Sequence, residues 1–303
     1  MIRIFALLLS LMVLSVPAFA MNIEAEVENQ LGIPIDGKKL PTGWKVLEKH
    51  GDSMVFQKGD FTMSYAIIPD GSVGNIVDGV FDKGYGSVAE RNFRPHVTCT
   101  RRTPDGRFVM SVDNGIDQVK IYRFNEKDSK LVQVDAIRCD LESAPRHFRF
   151  SSDGRFTYLM YELKNVIDVF TYKTGDRAPV IEKIQTISTT GTVKPNTLVA
   201  ACAMRLSVDE KYIYCTNAGE NTVSIYSRDQ ETGLLSMICC LPISGEYPKD
   251  VAVFPDGKHI ASVNHDSGTL TFFSVDYEKG LLVMSGRAVE VNEPNCCAIV
   301  KIG

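Results

Sequence analysis

The sequence predicts an all-β fold, a β-propeller of four-stranded blades, on three observations. Four stretches resemble one another: PDGRFVMSVDNGIDQVKIYRF from Pro104, SDGRFTYLMYELKNVIDVFTY from Ser152, VDEKYIYCTNAGENTVSIYS from Val208 and PDGKHIASVNHDSGTLTFFSV from Pro255. Their aligned acids, Asp105, Asp153, Asp209 and Asp256, stand 48, 56 and 47 residues apart, a spacing that marks a solenoid or propeller. After residue 20 the apolar residues step with period 2, and no stretch holds a helical period.

Each unit is built in the same order. An acid-containing turn, Asp-Gly in three of the four units, launches an apolar strand such as Arg107–Ser111, because Asp and Gly supply the hydrogen bonds and backbone freedom of a tight turn. A polar turn follows, Asp113-Asn114-Gly115 in the first unit. Next comes an alternating strand carrying Val119, Ile121, Tyr122 and Phe124 in the first unit, and Val166, Val169 and Phe170 in the second. A turn with Gly closes some units, as at Glu231–Leu235 and Glu278–Leu282, before another apolar strand. Several short strands per unit at this period fit four-stranded blades. A β-sandwich competes, but it needs no near-identical units at a fixed period. Before residue 90 the repeat fades. MSYAIIPDGSVG at 63–74 reads as the outer half of a blade, and 21–45 shows no strand pair.

Composition bounds the function. The 303 residues, 44% hydrophobic and 23% charged, can bury a large core without staples. A net charge of −4 with no basic stripe argues against nucleic-acid binding. Residues 1–20, MIRIFALLLSLMVLSVPAFA, carry Arg3, an apolar run and the small-x-small Ala18-Phe19-Ala20, the pattern of a secretory signal. The run is too short for a comfortable membrane span, so no stable insertion is expected once it is removed. The organisation expected is a signal-like segment at 1–20, a divergent segment at 21–62 and a propeller at 63–303. The eight cysteines give a different indication. They sit in strand-like runs such as MICCLPI and NCCAIV, without CxxC spacing, and read as buried thiols of a reducing compartment. A real signal places the protein in the periplasm or outside the cell; a misassigned start places it in the cytoplasm.

An ordered series of motifs resembles the lactonase seven-bladed propeller family, known for hydrolysis of 6-phosphogluconolactone in the pentose phosphate pathway. Arg94-Pro95-His96-Val97 resembles that family's His-Pro-His-Ser. Ala144-Pro145-Arg146-His147-Phe148 resembles Gly-Pro-Arg-His-Phe. Tyr161-Glu162-Leu163 resembles Asn-Glu-Leu, and Thr216-Asn217-Ala218-Gly219 resembles Ser-Asn-Arg-Gly. Tyr247-Pro248-Lys249-Asp250 resembles Thr-Pro-Arg-Asp, and Asn264-His265-Asp266-Ser267 resembles Asn-Gln-Asp-Ser. Three positions depart from the pattern. Cys202-Ala203-Met204 replaces Ala-Glu-Ile, Ala218 replaces an Arg, and Arg94 replaces a His. The family also has about one blade more of chain before this series, so five to seven blades are expected.

Lactone hydrolysis needs a base to activate water and donors for the developing oxyanion. A phosphorylated sugar acid also needs cations. The catalytic candidates are His96, His147 and Glu162. His96 and His147 each precede an apolar run leading to an Asp-Gly turn, and equivalent blade positions converge around a channel. Glu162 stands in the apolar run YLMYELKNV, where desolvation raises a carboxyl pKa. The substrate-binding candidates are Arg146, Lys249 and His265. Adjacent strand residues face opposite ways, so only one of Arg146 and His147 is expected to face the channel. His50 and His259 have no supporting context. No GxGxxG, P-loop, GxSxG elbow, HExxH or spaced Cys/His cluster appears. No cofactor or metal is therefore expected, and the partner is a small-molecule lactone. Two other readings remain open: a non-catalytic propeller that binds a ligand or protein, favoured by Ala203 and Ala218, and a muconate-lactone cyclase-like activity.

Overall fold

The computed structural model describes residues 3–6, 45–50, 53–58, 61–67, 73–87, 92–125, 127–191 and 198–300. Most of the signal-like segment 1–20, and residues 21–44, lie outside the described residues. No helix among the described residues is long and apolar enough to cross a membrane.

The chain divides into two compact units. The N-terminal unit, residues 9–138, holds two four-stranded antiparallel sheets. The first is β2 (Lys45–His50), β3 (Ser53–Lys58), β4 (Phe61–Ile67) and β5 (Val73–Phe81), so a full sheet runs through the boundary read at residue 62. The second is β6 (Val97–Arg102), β7 (Phe108–Asp113), β8 (Gln118–Asn125) and β9 (Lys130–Arg138). Between β7 and β8 lies a three-residue 3-10 turn, Asn114–Ile116.

The second unit takes residues 139–303 with residues 1–8. It repeats the same sheet three times. The first copy is β10 (Pro145–Phe150), β11 (Phe156–Tyr161), β12 (Val166–Lys173) and β13 (Val180–Ser188). The middle copy is β14 (Ala200–Leu206), β15 (Tyr212–Ala218), β16 (Thr222–Arg228) and β17 (Leu235–Pro242). The third is β18 (Pro248–Val253), β19 (His259–Asn264), β20 (Thr269–Asp276) and β21 (Leu281–Met284), with β22 (Val289–Glu290) also on β20. A last strand, β23 (Cys297–Val300), pairs with β1 (Arg3–Ala6).

The repeated acids explain the regularity. Asp105, Asp153, Asp209 and Asp256 each accept a hydrogen bond from the backbone amide two residues on. The hydroxyls of Thr103, Ser151 and Ser207 donate to the first three of these acids. Burial pushes the Asp153 carboxyl up, but Ser151 and the amide and guanidinium of Arg155 hold it at about 2. The alternating apolar residues then pack sheet on sheet. Tyr158, Met160 and Val169 of the first copy meet Met204, Ile213 and Tyr226 of the middle one. Tyr214, Val223 and Ile225 of the middle copy meet Val251, Ile260 and Phe273 of the third. All eight cysteines are thiols.

Every described first strand from β6 onward carries a β-bulge. The register skips Thr98 in β6, Arg146 in β10, Cys202 in β14 and Lys249 in β18. These four are equivalent positions. On this register His96 is equivalent to Ala144, Ala200 and Tyr247, whereas His147 is equivalent to Cys99, Ala203 and Asp250. The shared blade position read for His96 and His147 is therefore corrected: the two lie three register positions apart.

Among the described residues, the N-terminal unit buries a carboxyl pair that the sheets of the second unit lack. Asp113 Oδ1 accepts from the amides of His96 (2.8 Å) and Gly115 (3.0 Å). Asp82 Oδ1 accepts from the Tyr122 hydroxyl (3.1 Å) and pairs with Lys120 Nζ (2.8 Å). The Oδ2 of each aspartate is buried without a donor, which fits one proton shared between the two. Burial pushes Asp113 up to about 7; the neighbouring Asp82 adds to the rise, while the His96 amide and Lys120 oppose it. The folded carboxyl thus holds a proton that the unfolded one, near 3.8, has lost. Stability from this pair is complete below about pH 4 and declines as pH rises towards 7. At the equivalent positions, Asn217 and Asn264 donate the proton that this pair must borrow, to Ser224 (3.2 Å) and Thr271 (3.1 Å). Asp113→Asn keeps both amide bonds and offers an N–H to Asp82. It should flatten the fall in melting temperature between pH 5 and 8 and add roughly 2 kcal/mol at pH 8. A wild-type melting temperature that does not fall across that range would refute the shared proton.

Candidate functional site

The bulge in β10 decides what its two basic residues can reach. In a regular strand Arg146 and His147 would face opposite ways. The extra residue cancels that alternation, and both side chains reach the neighbouring strand β14. Arg146 Nε donates to the Cys202 carbonyl (2.7 Å), and the Met204 amide donates to His147 Nδ1 (3.1 Å). The expectation that only one of them faces the site is corrected on this geometry. The bond to Met204 also fixes the tautomer: Nδ1 accepts, so neutral His147 carries its proton on Nε2 and presents a donor.

Glu162 follows the last residue of β11, and its amide donates to the Ala144 carbonyl (2.7 Å). Its side chain is 3% exposed and pairs with Arg146 Nη1 at 2.6 Å; the Arg146 side chain is 26% exposed. Burial would lower the Arg146 pKa, but Glu162 and, to a smaller extent, Cys202 and Tyr247 together make the net shift upward. The guanidinium is therefore a fixed cation. Glu162 is its orienting partner, whereas the apolar sequence around it suggested an isolated carboxyl.

The third sheet repeats this corner with other residues. Lys249 occupies the bulge, equivalent to Arg146, and His265 is equivalent to Glu162. Lys249 Nζ donates to Asn295 Oδ1 (2.9 Å) and lies 5.5 Å from the Tyr247 ring centroid. The His265 ring stands 6.1 Å from that of Tyr247, and its Nδ1 is buried with no hydrogen-bond partner. In the middle sheet the same four positions hold Ala200, Cys202, Ala203 and Ala218, all buried. At these four positions the middle sheet carries nothing bulkier than a thiol.

His96 belongs to the other unit and has an exposed side chain. Its backbone is anchored at both ends, the amide on Asp113 and the carbonyl on the Asn114 amide. Within their own unit, Arg146, His147, Glu162, Lys249 and His265 come from equivalent ends of two sheets that flank a third.

The family model of the lactonase seven-bladed β-propeller matches residues 54–299. The chain belongs to this family. Among solved structures, the lactonase propeller resembles a Bacteroides fragilis protein named as a candidate 6-phosphogluconolactonase. The two are 28% identical with a TM-score of 0.74, over 84% of this chain and 72% of the other. It also resembles the periplasmic gluconolactonase of Pseudomonas aeruginosa, at 25% identity and a TM-score of 0.76, over 85% and 72% of the two chains. An uncharacterised protein of Staphylococcus saprophyticus is 28% identical over 178 residues, 59% of this chain and 50% of its own length. The chain spans about half the length of the curated relatives it matches.

Five residues around this corner carried no assigned role in the sequence: Tyr247, Asn295, Cys202 through its carbonyl, and the pair Arg205 and Asp250. Asp250 stood in plain view in the Tyr-Pro-Lys-Asp motif. It stands six residues before Asp256, as His147 stands six before Asp153, and the structure shows it holding Arg205 through two bonds of 3.0 and 2.6 Å.

Proposed function

We propose that this lactonase-family chain hydrolyses a sugar-acid lactone carrying an anionic group, with 6-phosphogluconolactone as the first substrate to test. The observation supporting this reading is the Arg146–Glu162 corner, with His147 turned to the same neighbouring strand and Lys249 and His265 at the equivalent end of the third sheet. In this reading the His265 imidazole takes a proton from water as the oxygen attacks the lactone carbonyl. The Arg146 guanidinium and His147 Nε2–H hold the developing oxyanion. When the tetrahedral intermediate collapses, the ring C–O bond breaks and the departing alkoxide takes the proton from the His265 imidazolium. Lys249 supplies charge for the phosphate, and Glu162 keeps Arg146 in place.

The non-catalytic reading has one specific observation in its favour. Ala203 and Ala218 fall at the positions of His147 and Glu162, so the middle sheet offers no chemistry of its own. Stopped-flow opening of 6-phosphogluconolactone by the full chain, compared with buffer, separates the two. Acceleration is expected, with kcat for His265→Ala and His147→Ala lower by about 10²–10⁴ and about 10²-fold respectively. Folded wild-type protein that opens the lactone no faster than buffer would overturn the hydrolase reading and leave the binding one.

A further inference from the structure

We propose that Tyr247 positions the substrate at this site, as an aromatic wall for one face of a polyhydroxylated lactone ring. The proposal rests on the lactone reading above. Tyr247 precedes Pro248 with a φ of +54°, in the left-handed region where glycine is the easy residue. Ala144, before Pro145, has the same conformation at +51°. The conformation thus belongs to the sheet's construction, and the choice of a large ring there does not. Neighbours hold the backbone of Tyr247 on both sides: its amide donates to Asn221 Oδ1 (3.1 Å), and its carbonyl accepts from the His265 amide (2.9 Å).

Core packing does not account for the ring. Tyr247 lies outside the apolar cluster that joins the middle and third sheets. Its partners are polar and belong to the candidate site. Lys249 Nζ is 5.5 Å from the ring centroid and the His265 ring 6.1 Å away, tilted by 58°. The two other described sheets of this unit put Ala144 and Ala200 at this position, so the unit sets a single ring there, beside the Lys249 cation that would hold an anionic substrate. A sugar lactone presents a C–H face suited to an aromatic ring and hydroxyls suited to a phenol. An aliphatic lactone lacks the hydroxyls.

The test uses the full chain as wild type, Tyr247→Gly and Tyr247→Phe. Three quantities are read: kcat and KM for 6-phosphogluconolactone, calorimetric affinity for 6-phosphogluconate, and melting temperature. Tyr247→Gly should raise both KM and the 6-phosphogluconate Kd by about tenfold, leave kcat within about twofold, and hold or raise the melting temperature because the backbone strain is relieved. Tyr247→Phe separates the parts: near wild-type binding assigns the ring, and binding as weak as in the Gly variant assigns the hydroxyl. Unchanged KM and Kd in Tyr247→Gly, with an active wild type, would overturn this inference alone. So would a fall in melting temperature that accounts for the lost binding. A wild type that binds 6-phosphogluconate without opening the lactone would overturn the hydrolase reading while the binding arm still tests Tyr247. A wild type that does neither would overturn both.

Discussion

Arg146→Ala should lower lactone opening by about 10²–10³-fold and destabilise the fold by about 3 kcal/mol. The two losses have separate causes. Activity falls because the guanidinium is the fixed cation of the site, held between the Cys202 carbonyl and Glu162. Stability falls because Glu162, 3% exposed, loses the charge 2.6 Å away and stays buried. Removing one partner of a buried pair costs more than removing both. The double variant Arg146→Ala, Glu162→Ala should therefore melt above the single Arg146→Ala variant while remaining inactive. Arg146→Lys keeps the charge but not the planar fork, which here makes two bonds in different directions. It should recover much of the stability and little of the rate. Thermal melts and stopped-flow assays on the four proteins check this. An Arg146→Ala enzyme as fast as wild type would remove Arg146 from the reaction.

The sheets after residue 97 were legible because each acid-containing turn names its strand pair. The Asp of the turn accepts from the amide two residues on in all four units, a local bond that needs no tertiary context. The 45–81 sheet was harder to see. Its Pro69-Asp70-Gly71 falls between β4 and β5, the third and fourth strands, whereas in the later sheets the turn joins the first and second. The same chemistry at a different place in the sheet breaks the repeat without breaking the fold.

The site was legible as residue types but not as roles. Arg146, His147 and Glu162 carried the motif, and the structure brings them to one corner. The bulge was invisible, since one skipped residue leaves the apolar alternation of the strand readable. It explains why adjacent Arg146 and His147 reach the same strand; the spacing to the aligned acids separately makes His96, nine residues before Asp105, equivalent to Tyr247, nine before Asp256, and not to His147, six before Asp153. A carboxyl in an apolar run invites the expectation of an isolated acid. Only a contact sixteen residues away in sequence reveals Glu162 as a partner for Arg146. The two departures at Ala203 and Ala218 fall on the adjoining strands β14 and β15 of a single sheet.

Asp250→Ala should be among the most damaging substitutions for stability, costing about 3–5 kcal/mol and lowering the melting temperature by roughly 10 °C. Asp250 is buried, and its carboxylate joins three strands. Oδ1 and Oδ2 take the Arg205 fork from β14, Oδ1 accepts from the Val251 amide in β18, and Oδ2 accepts from the Cys297 amide in β23. Alanine leaves the guanidinium and two amides without their acceptor at once. Asp250→Asn separates the contributions. Its Oδ1 can still accept from one amide, but its Nδ2 would meet the Arg205 donors, so the loss should be intermediate. Arg205→Met removes a half-exposed cation and leaves Asp250 with its amide bonds, and should cost less than Asp250→Ala. Asp250 thus occupies the position of His147 yet serves as a clasp between first strands, and the same bulged strand end holds the His147 imidazole in one sheet and a structural carboxylate in another. Chemical denaturation of the three variants measures the order; Asp250→Ala as stable as Arg205→Met would show that the carboxylate is not the clasp.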